Sequence, residues 1–222
     1  YGDLDKIAAI PSVDAVYIAN HYAEPAMQQS VRDTKMASSN AFFTGIDDVL
    51  ENIGADGSGM VIAVLDTGLN YTHEAFADAD SNCAKYGRMT ADDAALAVAP
   101  GVYINAKVPF AYDYAEKDTD VTDHNGHGTH VAAIAAGYKT ADDGAVEFSG
   151  AAPAAQILAM KIFKDSSTGT SSDIYFYAME DAYRLGADVI NMSIGSQNGF
   201  TYDADLETEL FSDIYRRLPD SG

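Results

Sequence analysis

Apolar and polar positions along this chain follow two rhythms. From Met60 to Gly68 the run MVIAVLDTG is apolar and β-branched and ends at glycine, as expected of a strand buried on both faces. QILAMKIF (Gln156 to Phe163) and ADVINMSIG (Ala187 to Gly195) repeat that pattern. Helical spacing lies between the strands. VAAIAAG closes on Gly137 as a C-cap. SSDIYFYAMEDAYRLG has Ser172 or Asp173 as N-cap, apolar residues at helical spacing and Gly186 as its stop. Strand, helix, strand, helix, strand predicts an α/β fold with a parallel sheet.

The flanks are less regular. Asp3 to Pro25 reads as a short helix, a proline-containing turn and a strand over Val13 to Ala19. Polar sequence from Gln28 to Asn40 reads as a linker, and a compact domain starts near Phe42. The chain thus divides into residues 1–25, 26–41 and 42–222. Three acidic, weakly periodic stretches read as surface loops: Ala77 to Ala99, Asp113 to Asp123 and Lys139 to Ser149. Asp203 to Arg217 reads as a helix, and LPDSG follows where an α/β pattern would supply another strand.

Charge changes the picture more than overall composition does. Asp and Glu total 34 against 13 Lys and Arg, a formal charge of −21. Such a surface repels nucleic acid and anionic membranes, whereas acidic patches suit solubility or calcium. The single cysteine, Cys83, has no partner for an internal disulfide. No apolar run approaches the roughly 20 residues of a membrane span. The start, YGDLDKIAAIP, lacks a basic and an apolar leader region, so an exported form would carry its signal upstream.

DHNGHGTHVAAIAAG, Asp123 to Gly137, concentrates three of the five histidines: His124, His127 and His130. They fit a metal site, acid–base chemistry or simple packing. A zinc helix of the HExxH type needs histidines at i and i+4 with a glutamate between. Here His127 and His130 stand at i and i+3 with Gly128 and Thr129 between them. Those small residues leave room for a substrate or for another backbone. His130, followed by Val131 and an apolar run, fits packing better than His127, which sits among glycines at a helix start. Asp66 ends the first strand, where open α/β sheets collect ligands and catalytic groups, though it also fits a capping role. An aspartate and a histidine so placed form two thirds of a carboxylate-oriented general base.

VIAVLDTGLNYTHEAF resembles the aspartate motif of the subtilases, the subtilisin-like serine proteases, and DHNGHGTHVAAIAAG resembles their histidine motif. GAAPAAQILAMKIF and ADVINMSIG resemble the segments that follow, so the resemblance runs from Gly59 to Gly195 in the family's order. It implies a subtilisin-like three-layer fold. It implies that Asp66 is the orienting acid and His127 the general base. Ser193, Ile194 and Gly195 would form one wall of the substrate cleft. Thr168, Gly169 and Thr170 would pair as an edge strand with an extended polypeptide substrate. His130 and Asn191 are implied to be structural. LDKIAAIPSVDAVYIANHYAEP resembles the end of a subtilase propeptide, with a spacer or a mature N-terminal strand as the alternative. Residues 26–41 are then a linker or the start of the mature enzyme. The family further implies a secreted or envelope-associated location, no cofactor for the chemistry, and structural calcium, for which the acidic Lys139 to Ser149 loop is a candidate.

Two family features are missing. No G-T-S-x-A-x-P serine motif occurs, and neither does the oxyanion asparagine of an A-G-N turn. The string GTSS at Gly169 to Ser172 falls in the substrate-edge loop, so Ser171 is not assigned as nucleophile. These 222 residues are therefore expected to hold an acid and a base without their serine, to be inactive alone, and to partner the rest of their own catalytic domain. A non-catalytic relative that binds peptides, or acts as chaperone or inhibitor, and a metal-dependent hydrolase are the alternatives.

Overall fold

A computed structural model describes residues 6–7, 9–13, 16, 21–23, 49–77, 88–140, 146–166, 169–195, 212 and 216. In chain order its strands are β1 (His21–Ala23), β2 (Val61–Asp66), β3 (Phe110–Asp113), β4 (Tyr138–Thr140), β5 (Val146–Ser149), β6 (Gln156–Lys161), β7 (Gly169–Ser171) and β8 (Val189–Asn191). Its α-helices are α1 (Glu74–Ala77), α2 (His127–Ala136) and α3 (Ser172–Arg184).

Four strands form a parallel sheet in the order β3-β6-β2-β8. Every residue of β2 and β6 is buried, which is why these two strands read as unbroken apolar runs. Their alternation sorts side chains between two layers. Val61, Ala63 and Leu65 pack in one cluster with Tyr175, Ala178, Met179 and Ala182 of α3. Ile62 and Val64 pack in another with Ala132 and Ala136 of α2. Helices thus cover both faces, the three-layer α/β arrangement expected.

Several boundaries differ from expectation. The third run is strand only over Val189–Asn191, within the predicted Ala187 to Gly195. The N-cap of α3 is Ser171, not Ser172 or Asp173, because the chain passes directly from β7 into the helix with Ser171 still extended. Gly186 does end that helix region, in a left-handed conformation (φ 72°). The acidic Lys139 to Ser149 stretch is no open loop: β4 and β5 pair antiparallel there, and residues 141–145 lie outside the described set. Ala77 to Ala99 contains a 3-10 helix, Ala91–Leu96, opened by a Thr90–Asp93 capping box. The edge strand β3 has no counterpart in the sequence reading.

Of the predicted strand Val13 to Ala19 only Val13 and Val16 are described, and neither is in a strand; Cys83 and most of the predicted helix Asp203 to Arg217 fall outside the described residues, while Ser212 and Arg216 are helical. No helix among the described residues is long and apolar enough to cross a membrane.

Candidate active site

The carboxyl end of β2 delivers Asp66 into a closed environment: its side chain is 1% exposed. Gly68 then takes a positive φ of 127°, where a side chain would meet the Val121 carbonyl oxygen. Gly126, also left-handed at φ 92°, precedes α2, so His127 is the first helical residue. One position on, Gly128 lets the helix start lie directly against the chain after β2. The two segments can therefore approach until Nδ1 of His127 stands 2.7 Å from Oδ1 of Asp66.

That contact orients the imidazole with Nδ1 toward the carboxylate and leaves Nε2 able to accept a proton. Thr67 N–H donates to the same Oδ1 at 2.7 Å, while Asp66 Oδ2 is buried without a partner among the described residues. Burial raises the Asp66 carboxyl above its ordinary value, and the bonds from His127 and Thr67 only partly offset this.

A residue that sequence reasoning passed over holds the frame. Asp123 accepts from Thr67 Oγ1 (2.9 Å), Gly126 N–H (2.8 Å), Asn125 N–H (3.1 Å), Thr129 N–H (2.8 Å) and Thr129 Oγ1 (2.6 Å). Thr67 Oγ1 in turn accepts from Gly128 N–H at 2.9 Å. One carboxylate thus ties the turn after β2 to the start of α2. Burial would raise its pKa, but the bonds from Thr129, Gly126 and Thr67 outweigh this and hold it below the ordinary range. The available signal was an aspartate shortly before a helix start, a common local capping position.

Lys161 lies beside Asp66 and Asp113 in the sheet register and is itself buried. Its Nζ stands 2.7 Å from Asp165 Oδ1 and 3.3 Å from Asp113 Oδ2. Burial alone would lower the ammonium, but Asp165 and Asp113 raise it. Asp165 also faces Nε2 of His124 at 3.5 Å, which places the otherwise unassigned His124 at the rim.

The other sequence-predicted residues divide as follows. Gly169 and Thr170 lie in β7, and that edge is occupied: β1 pairs with it antiparallel, His21 opposite Ser171, Tyr22 opposite Thr170 and Ala23 opposite Gly169. Tyr22 is buried, its ring edge-on to Tyr175 with centroids 5.5 Å apart. Thr168 lies outside the described residues. Ser193, Ile194 and Gly195 follow β8, whose Asn191 pairs with Val64, so they leave the sheet at the same end as Asp66. Ser193 Oγ donates to Asn191 Oδ1 at 3.0 Å. Ser171 Oγ is committed to Asp173 Oδ1 at 2.5 Å.

One expectation is corrected. His130 is exposed, not packed. The buried face of α2 is Gly128, Ala132 and Ala136, at i, i+4 and i+8, and position 130 falls on the opposite side. The three histidines therefore diverge. Among the described residues no group of three His, Cys, Asp or Glu side chains could hold a metal ion.

Comparison with known proteins gives a consistent result. The sequence profile of the subtilase family matches residues 57–217. The PI-type proteinase of Lactococcus lactis subsp. cremoris is 34% identical over 203 residues, 89% of this chain and 10% of that protein. A C5a peptidase of Streptococcus pyogenes serotype M18 is 32% identical over 171 residues, 72% of this chain and 15% of that protein. The solved structure of sphericase superposes with a TM-score of 0.51 at 25% identity, covering 87% of this chain and 51% of its own. The chain spans about a tenth of the length of the first of these relatives.

Proposed function

The chain belongs to the subtilase family, and from that premise we propose that it supplies the acid and base of a serine endopeptidase. The observation that carries this reading is the 2.7 Å contact between a buried Asp66 and Nδ1 of His127. In the assembled enzyme His127 Nε2 takes the proton of a serine hydroxyl as that oxygen attacks the peptide carbonyl. It then returns the proton to the leaving amine. Asp66 keeps the imidazole in the required tautomer and stabilises the imidazolium. The serine and the oxyanion-binding amide come from sequence outside these 222 residues, so this stretch alone turns over no substrate.

Polypeptide substrates bind extended along β7, with Ser193, Ile194 and Gly195 as the opposite wall. The pairing of β1 with β7 supports this, and it supports reading residues 1–25 as a propeptide tail lying in the cleft. The family carries with it a secreted or envelope-associated location.

The test joins this chain to the remainder of its catalytic domain and exposes the assembly to a fluorophosphonate probe. Labelling that depends on His127, and vanishes in His127→Ala, is expected. Labelling that persists at full rate in that variant would remove the general base from the reading. A non-catalytic peptide binder is also compatible with the β1–β7 pairing; it would pair peptides with β7 yet never label.

A further inference from the structure

Beside β7 lies a cavity of about 640 Å³, walled in part by Tyr114, Thr170 and Ile174, to which β1 contributes His21 and Tyr22. Lys117 and Lys164 also line it. In a chain with 13 basic and 34 acidic residues, two lysines on one cavity run against the overall charge. Both are exposed, and neither is held in an ion pair among the described residues. The one carboxylate lining the cavity, Asp173, is engaged by Ser171 Oγ. Lys117 moreover sits at φ 63°, the sole described non-glycine residue in the left-handed region. Glycine or asparagine would adopt that conformation more readily, so the lysine is held there against backbone preference.

Exposure distinguishes the two β1 residues that line the cavity. Tyr22 is buried with its ring against Tyr175, whereas His21 is exposed, like the two lysines. We propose that Lys117 and Lys164 select an acidic side chain, Asp or Glu, at the substrate position now filled by His21, opposite Ser171. This rests on the reading that extended peptides pair with β7, and adds the charge they prefer. The front segment carries a histidine there. It leaves the lysine pair without a counter-charge and is the weaker occupant, displaceable by a peptide that brings a carboxylate.

The experiment uses the whole 222-residue chain and follows amide hydrogen exchange of residues 21–23 and 169–171. His21→Glu is expected to raise their protection about threefold and His21→Lys to lower it by a similar factor, the scale of exposed charge pairs. Both differences should collapse in about 0.5 M salt and in a Lys117→Ala/Lys164→Ala background. Equal protection in the Glu and Lys variants, or a difference that survives removal of both lysines, overturns the charge preference and leaves the β7 pairing standing. Absence of protection in the unmodified chain overturns the pairing itself, and the preference with it.

Discussion

Gly128 approaches the chain after β2 so closely that a Cβ built on it would lie 2.3 Å from the Gly68 carbonyl oxygen and 3.1 Å from Asp66 Cβ. The nearest obstacle is backbone, which has little room to yield. Gly128→Ala should therefore push the start of α2 off the end of β2. We expect a loss of about 2–3 kcal/mol in stability, as for other overpacked interiors, read as a fall in Tm. In the assembled enzyme its labelling rate should fall further than stability alone accounts for, because His127 moves with the helix. An unchanged Tm would show that the gap closes without strain.

The contact between Asp66 and His127 predicts a kinetic signature. In the assembled enzyme Asp66→Asn should lower kcat by about 10⁴-fold with little change in KM, because the tautomer is lost while substrate contacts remain. Steady-state kinetics on a peptide substrate decide it. A rise in KM at constant kcat would assign Asp66 to binding instead.

The same substitution should act on stability with the opposite sign. Burial raises the folded-state pKa of Asp66 above its ordinary value, so the ionised carboxylate disfavours folding. That penalty is absent below the unfolded-state value, about 3.9, and is complete once the pH exceeds the raised folded value. Asp66→Asn should then have a higher Tm than the parent at pH 8, the gap closing toward pH 4. A variant less stable than the parent at pH 8 would mean that the bonds from His127 and Thr67 outweigh burial.

Asp123 should behave in the reverse manner. Its folded-state pKa is lowered, so its ionised form stabilises the fold above the ordinary carboxylate value. That contribution fades as the pH falls through the folded value. Asp123→Asn should lose about 2 kcal/mol at neutral pH, the range for hydrogen bonds to a charged acceptor, and converge with the parent in acid. Urea unfolding at pH 7 and pH 3 measures both limits; a pH-independent difference would point to packing rather than charge.

Much of the fold was legible because it is written locally. β2 and β6 announce themselves as unbroken apolar runs, since a parallel strand is covered on both faces. The start of α2 and the end of α3 are marked by Gly126 and Gly186, whose left-handed conformations few other residues adopt. β3 escaped notice because Phe110–Asp113 is only four residues long and is strand mainly through pairing with β6. The β4–β5 pairing was hidden by its acidic surroundings, and all three residues of β4 are only half-buried, leaving no period to betray it.

What the sequence by itself determined is the two long buried strands, the helices α2 and α3 and their order along the chain, and which residues are candidates for the acid and the base, because periodicity, turn residues and motif spacing are short-range. Only the tertiary structure decided which of those residues meet. Asp66 and His127 are 61 positions apart and come together because α2 packs on the sheet, with Gly128 against Gly68. His130, three residues on, turns to solvent for the same reason: the helix has one buried face, and its small residues chose it. The occupant of β7 likewise follows from strand pairing across more than a hundred residues, which local pattern does not encode.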